Sequence, residues 1–289
     1  AAHLSGIPHL AIGNGFAVPP DVSPLPSIRP WEAIPQTRLR QAGRAVDAAI
    51  AGVAARLGFH GAIGLRDLFG PRDVLDTFAE LDPYPARQDG NYIGSIFSLS
   101  GTKNVGWQER DGRKIVAYLR PDMPGFAALM AALGELDAEK LCVIPGLRPG
   151  QARRLAGPRL RIALAPVDLS PLLKGADLVV GYGGNGMTAQ ALLAGKPLLL
   201  APRLVEQYLG GKAVAELGAG ILMEADRSRE ACERGLNTLL ADPRYAACAR
   251  GFANKYRGFT PAKAVAQAIA AIESCVANER MQRPVSLNG

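Results

Sequence analysis

Short apolar runs alternate with longer amphipathic segments through the second half of the chain. Runs of this length, rich in Val, Ile and Leu, are typical of strands buried in a parallel sheet. The segments between them space their apolar residues as helices do. The predicted strands are Ile115–Leu119, Leu141–Ile144, Leu160–Leu164, Leu178–Val180, Leu198–Leu200 and Ile221–Leu222. This alternation predicts an α/β fold with a parallel sheet covered by helices.

Two long helices are predicted outside the alternating region, each with one apolar face. The first runs from Arg38 to Leu57 and is ended by Gly58. The second follows Thr260 and Pro261, a pair that suits a helix N-terminus. Its apolar stripe consists of Val265, Ile269, Ile272 and Val276.

Changes in composition divide the chain into two domains. A predicted strand at 9–12 and a proline-rich loop precede the first long helix, and residues 97–113 are polar and contain glycine. Such composition is typical of linkers. We therefore predict a first domain over residues 1–100, a linker over 101–113, a second domain over 114–277 and a tail over 278–289.

A glycine-rich turn follows the fourth strand of the second domain, with a helix predicted from Met187. Its glycines are Gly181, Gly183, Gly184 and Gly186. Glycines let a ligand come close to the backbone, and we expect free N–H groups at Met187 and Thr188, where the helix dipole favours an anion. The turn therefore predicts a phosphate site, although its spacing is neither G-x-G-x-x-G nor that of a Walker A loop.

The composition narrows the classes of ligand and environment. A net charge of +7 suits acidic ligands or an anionic lipid surface, whereas no recognition helix or stacked aromatic residues favour nucleic acid. The 4 scattered cysteines lack metal-site spacing, so we expect buried thiols in a reducing cytoplasm and no metal. No apolar run reaches the about 18 residues of a membrane span, and no signal-like segment opens the chain.

The stretch from Ala176 to Gly220 resembles the donor half of GT-B glycosyltransferases of the UDP-glycosyltransferase type. The residues that match the family's signature are Gly183, Gly184, Gly186, Ala191, Leu192, Gly195, Pro197, Glu206, Gln207, Leu217, Gly218 and Gly220. The chain departs from the signature at Tyr182, where the family has a histidine on the diphosphate, and at Gln190, where it has glutamate. The resemblance covers most of the chain and implies a GT-B fold of two Rossmann-like domains with parallel sheets, the N-terminal acceptor-binding domain being incomplete.

The same resemblance implies where a nucleotide sugar binds. Pro166 and Val167 would hold the base, the glycine turn the diphosphate, and Glu206 and Gln207 the sugar hydroxyls. The residues implied for the nucleotide-sugar site are Pro166, Val167, Tyr182, Gly183, Gly184, Asn185, Gly186, Met187, Thr188, Glu206 and Gln207.

The reaction implied by the resemblance is metal-independent, inverting transfer of a hexose from a nucleotide diphosphate sugar. The donor is expected to be a UDP-sugar, used as substrate with no cofactor, and the acceptor a hydroxyl of a hydrophobic small molecule or lipid. The helix over 38–57 would either line the acceptor cleft or face the core. The family's general base is a histidine near the start of the first domain; nothing matches it here, and His3, His9 and His60 are not assigned that role.

Two other interpretations stay open. A donor-binding module without catalysis, or a split enzyme whose partner chain supplies the missing N-terminal half, fits Tyr182 and the unmatched base. A sugar-nucleotide 2-epimerase shares the fold but needs acidic and histidine residues that the sequence does not group together. Contact with a membrane, if any, is expected to be peripheral.

Overall fold

The chain forms two compact units in the computed structural model, residues 1–96 with 260–289 and residues 97–259. The structure describes residues 2–29, 31–69, 73–84, 87–97, 105–108 and 111–282. We call the two units the split unit and the central unit.

The split unit begins with a small parallel sheet. Strand β1 (Ile12–Gly13) pairs with β2 (Val74–Leu75), and helix α1 (Gln36–Arg56) lies between them in sequence. Leu75 also bridges to Tyr92 in parallel. The strand predicted over 9–12 therefore forms only at its end, because only Ile12 and its successor find a partner strand.

The central unit is a six-stranded parallel sheet with helices between the strands. All six predicted strands form. The elements are β3 (Arg113–Tyr118), α2 (Phe126–Glu135), β4 (Ala138–Val143), α3 (Pro149–Leu155), β5 (Leu160–Ala163), α4 (Ser170–Gly175), β6 (Leu178–Gly181), α5 (Asn185–Leu193), β7 (Leu198–Leu200), α6 (Val205–Glu216), β8 (Gly220–Leu222), α7 (Arg229–Ala241) and α8 (Pro243–Lys255). Their order in the sheet is β5-β4-β3-β6-β7-β8.

The core of the central unit lies on both faces of this sheet. Ile115 of β3 pairs with Leu178 of β6, and neither side chain is exposed to solvent. Leu133 of α2 and Leu236 of α7 join the same buried cluster. Parallel strands covered by helices on both sides bury side chains on both faces, which explains their unbroken apolar runs.

Part of the predicted linker is attached to the central unit. The indole Nε1–H of Trp107 donates to the carbonyl oxygen of Leu172 at 2.9 Å, and the amide of Gln108 donates to Oε1 of Glu139 at 2.8 Å. Residues 101–104, 109 and 110 lie outside the described residues, so the bounds of the linker stay a prediction.

The split unit is completed by helix α9 (Pro261–Gln282), which the sequence had assigned to the second domain as far as residue 277. Its predicted apolar stripe does not face a core: Val265, Ile269, Ile272 and Val276 are 39–50% exposed. The buried positions are the small residues Ala264, Ala268 and Cys275. On α1, likewise, the described burial includes only Ala54. Helical spacing of apolar residues predicts that a helix has an apolar face, but it does not predict which part of the protein packs against that face.

A polar cluster is buried in the split unit. Arg87 donates from Nε to Oδ2 of Asp82 at 2.6 Å, and the hydroxyl of Tyr92 donates to the same oxygen at 2.5 Å. Arg87 also donates from Nη2 to the carbonyl oxygen of Val18 at 2.7 Å. The side chains of Asp82 and Arg87 are 2% and 8% exposed. The ion pair is therefore buried, and the bond from Arg87 to Val18 links it to a segment 69 positions away.

Three of the four cysteines are buried, as predicted, but Cys248 on α8 is exposed. Burial raises the pKa of the Cys142 thiol to about 12. Within the described residues, no helix combines the length and apolarity that crossing a membrane requires.

Candidate nucleotide-sugar site

The glycine-rich turn lies where the chain changes direction in the sheet. From β3 the chain crosses to β4 on one side, whereas β6 continues to β7 on the other. The carboxyl ends of β3, β6 and β7 are therefore neighbours, and such a switch point is where open α/β sheets bind ligands.

Gly183 in this turn has no room for a side chain. Its φ is +85°, and a Cβ atom would lie 2.8 Å from the carbonyl oxygen of Gln207. Both facts require glycine, since other residues rarely adopt a positive φ. The turn is thus packed directly on the first turn of α6.

Helix α5 begins at Asn185, two residues earlier than predicted, and this corrects one expectation about the anion site. The amide of Thr188 donates to the carbonyl oxygen of Gly184 at 3.0 Å, so it is not free. The first-turn amides without an acceptor inside the helix include those of Gly186 and Met187. The expected anion position moves with them toward the turn.

The hydroxyl of Thr188 is the second feature that points to a ligand. Thr188 is 3% exposed, and its Oγ1 has no hydrogen-bond partner among the described residues. A buried hydroxyl is normally paired, because leaving it unpaired costs free energy. It lies in the first turns of α5, next to the amides that an anion would approach.

Tyr182 is engaged in packing. Its ring meets that of Tyr118, the last residue of β3, edge to face with centroids 6.2 Å apart. Burial raises the pKa of the Tyr118 hydroxyl, and the neighbouring Tyr182 adds to the shift. The aromatic residue that replaces the family's histidine thus packs between two strand ends. Gln190, the other departure, donates from Nε2 to the carbonyl oxygen of Gly186 at 3.3 Å.

Glu206 and Gln207 lie at the start of α6, on the loop side of β7 as expected. Gln207 is 8% exposed, and its Oε1 accepts from the amide of Arg203 at 2.9 Å. That oxygen therefore stabilises the beginning of α6, a role the sequence analysis did not foresee. Glu206 is half-buried.

Pro166 and Val167 follow β5, at the far end of the same sheet edge. Pro166 is exposed, whereas the side chain of Val167 is buried at 7% exposure. The Val167 side chain thus belongs to the core and leaves only its backbone for a base. Three strand spacings separate β5 from β6, about 14 Å, so an elongated ligand along this edge could contact both places.

Two charged residues at this edge were missed by the sequence analysis. Arg203 donates from Nη2 to Oδ2 of Asp122 at 2.5 Å, across 81 positions of sequence. Asp122 follows β3 and Arg203 follows β7. No local motif marks such a pair, because only the strand order brings the two loops together.

Comparisons with known proteins place the chain in a family. Residues 127–272 match the family described as Erythromycin biosynthesis protein CIII-like, C-terminal domain. Elloramycin glycosyltransferase ElmGT of Streptomyces olivaceus is 30% identical over 168 residues, which are 57% of this chain and 42% of that protein. Tylactone mycaminosyltransferase of Streptomyces fradiae is 36% identical over 114 residues, 38% of this chain and 24% of that protein. The chain therefore spans less than half the length of these curated relatives.

Solved structures share the fold. Spinosyn rhamnosyltransferase SpnG matches with a TM-score of 0.68 and 19% identity, over 94% of this chain and 68% of that chain. The glycosyltransferase VinC, solved in complex with dTDP, matches with a TM-score of 0.69 and 16% identity, also over 94% and 68%. These likenesses confirm the predicted α/β, GT-B fold class. Because the family match takes in half of the chain and every predicted site residue, the chain belongs to the family of the erythromycin biosynthesis protein CIII-like C-terminal domain.

Proposed function

We propose that the central unit is the donor-binding part of a glycosyltransferase. It binds a nucleotide diphosphate sugar, and the diphosphate leaves when an acceptor hydroxyl attacks the anomeric carbon with inversion. The supporting observation is the turn at the switch point. There the first turn of α5 carries amides without an acceptor inside the helix, together with the Thr188 hydroxyl, which has no partner among the described residues. Preorganised donors at such a position stabilise the charge that develops on a leaving group.

The proposed donor is a UDP- or dTDP-linked hexose. The sequence resemblance favours UDP, while VinC was solved with dTDP. The Val167 backbone, with the exposed Pro166, would contact the base. Glu206 and Gln207 would meet the sugar, Gln207 through its amide nitrogen because its oxygen already holds Arg203. No metal is proposed, because the backbone amides and hydroxyls of the site supply hydrogen bonds to the diphosphate oxygens.

The buried Thr188 hydroxyl tests this proposal. Replacing it by an isosteric methyl in Thr188→Val removes an unpaired polar atom, so the free energy of unfolding should stay equal or rise. UDP and dTDP should bind the variant more weakly by about three- to tenfold, the usual effect of one hydrogen bond. Calorimetric titration of both nucleotides measures this.

Thr238→Val is the matched control, because Thr238 is exposed on α7. It should bind both nucleotides as the wild type does. Equal affinity of the Thr188→Val variant and the wild type would remove the hydroxyl from the site, and absence of nucleotide binding by the wild type would refute the proposed function.

The acceptor side is proposed to need more protein than this chain contains. Among the described residues, the split unit exposes apolar helix faces, and β1 pairs on one side only. We propose that a further part of an acceptor-binding domain covers these surfaces, either in the same polypeptide or as a partner chain. It would supply the general base and complete a cleft for a hydrophobic alcohol.

A further inference from the structure

An ion pair spans the glycine-rich turn. Asp122 and Arg203 belong to the loops after β3 and β7, and β6 with its turn lies between these two strands. Their side chains meet at 2.5 Å, so the pair bridges the loops on either side of the proposed diphosphate position.

The backbone of Arg203 is also linked to the glycine-rich turn through Gln207. Its amide is held by Oε1 of Gln207, and the carbonyl oxygen of Gln207 packs against Gly183. The backbone that carries the guanidinium is therefore set by the same contacts that shape the turn. The side chain itself is 26% exposed, which leaves it within reach of solvent and of a ligand.

The charges around the pair do not cancel. Nε of Arg120 lies 3.8 Å from Oδ1 of Asp122, so one carboxylate stands between two guanidinium groups. That Nε–H is buried and donates to no acceptor among the described residues. These three side chains together retain a net positive charge, and the first-turn amides of α5 also favour an anion.

We propose that Arg203 binds the diphosphate. Before the ligand binds, Asp122 holds the Arg203 side chain in place. The inference rests on the proposed function and names the charged residue of the same site. A planar guanidinium has five donors and matches phosphate oxygens two at a time. Asp122 is 58% exposed, and an ion pair this open to water stabilises little, so exchanging the carboxylate for a diphosphate meets little resistance.

If Arg203 binds the diphosphate, a substitution at Arg203 should weaken the binding of nucleotides but not the binding of nucleosides. Arg203→Met keeps an unbranched apolar stem and removes the guanidinium with its charge. It should lower the affinity for UDP and dTDP by about tenfold or more, as expected for a hydrogen bond to a charged group. Binding of uridine and thymidine, followed by ligand-observed NMR, should not change. Arg203→Lys should bind UDP and dTDP more tightly than Arg203→Met does, because lysine keeps the positive charge. It should still bind more weakly than the wild type, because lysine lacks the planar guanidinium with its paired N–H donors.

Two more variants sharpen the test. Asp122→Asn removes the competing carboxylate, so UDP should bind equally well or more tightly. Arg159→Met is the matched control: Arg159 pairs with Asp137 at 2.9 Å between two loops of the same sheet, but at its amino edge. That variant should bind UDP as the wild type does.

The outcomes distinguish this inference from the function on which it rests. A wild-type chain that binds neither nucleotide refutes the donor site itself. A wild type that binds UDP while Arg203→Met binds it equally well overturns the role of Arg203 alone. A loss in Asp122→Asn as large as that in Arg203→Met would overturn the exchange, since Asp122 would then be needed in the complex. Thermal unfolding of each variant shows that the folded protein is being compared.

Discussion

The central unit and the split unit are stabilised in different ways. The central unit closes a six-stranded sheet between helices, and its apolar residues are buried against one another. Of the sixteen large apolar residues that are exposed among the described positions, thirteen lie in the split unit. The split unit has fewer buried apolar side chains, among them Leu75 and Phe78, and adds a buried ion pair, Asp82 with Arg87, to which Tyr92 donates.

This difference indicates which part of the function each unit can perform alone. A complete apolar core positions the carboxyl edge of the sheet without outside help, so the donor site can be fully formed in the central unit. Exposed apolar faces of this extent are typical of surfaces that another protein part covers. We therefore expect donor binding from the chain as it stands and acceptor chemistry only with a further part.

The largest expected effect concerns sugar transfer. The chain tested alone should bind UDP or dTDP and transfer no sugar to hydrophobic alcohols. Adding the further part of an acceptor-binding domain proposed above, fused or as a second chain, should raise transfer by at least the about 10²–10⁴-fold that acid–base catalysis contributes. A radiolabelled-sugar assay measures this transfer. Transfer by the chain alone would contradict the proposal that acceptor chemistry needs a further part.

A second prediction compares the loss of stability when the buried ion pair is broken with the loss when the apolar core is cut back. Arg87→Met leaves the Asp82 carboxylate buried without its partner and should destabilise the split unit by about 3–5 kcal/mol. Leu178→Ala opens a cavity in the central unit and should destabilise that unit by about 2–5 kcal/mol. Each change should affect its own unit most.

The two tryptophans allow the units to be followed separately. Trp31 lies in the split unit and Trp107 in the central unit. Urea denaturation of Arg87→Met and of Leu178→Ala is therefore measured by fluorescence in two backgrounds, Trp107→Phe to follow the split unit and Trp31→Phe to follow the central unit. Equal shifts of both signals in either variant would show that the units unfold as one.

The smallest effect is expected at the exposed face of α9. Ile269 is 50% exposed, so Ile269→Ser should change the free energy of unfolding by less than about 0.5 kcal/mol. The variant should bind less of a hydrophobic dye and self-associate less, which light scattering measures. Leu236→Ser, at a site with no exposure, should instead unfold the central unit. A strongly destabilised Ile269→Ser protein would mean that this face is already covered.

The sequence analysis predicted most of the central unit because its strands are buried on both sides. Apolar runs such as Leu198–Leu200 need no knowledge of the neighbours to be recognised. The start of α5 was misplaced by two residues, since Gly184 at its N-cap makes no side-chain capping bond that a sequence pattern could reveal.

What could not be predicted depends on long-range partners. The apolar stripe of α9 was recognised, but its exposure could not be, because the pattern does not record which neighbour is present. The pairing of Asp122 with Arg203 follows from strand order alone. Gln207 did carry a local signal, a glutamine in the first turn of a helix, which often caps that helix; the structure shows such a bond to Arg203.

The exposed thiol of Cys248 makes the chain easy to label. A maleimide reacts with thiolates, and the buried Cys142, with its pKa raised to about 12, reacts far more slowly. A fluorophore would therefore attach first to α8. That helix packs along α5, where Arg250 touches Gly195 just beyond the helix end. Cys248 lies beside Gly218, just before β8, so the dye would attach near the amino edge of the sheet and leave the proposed donor site at the carboxyl edge free.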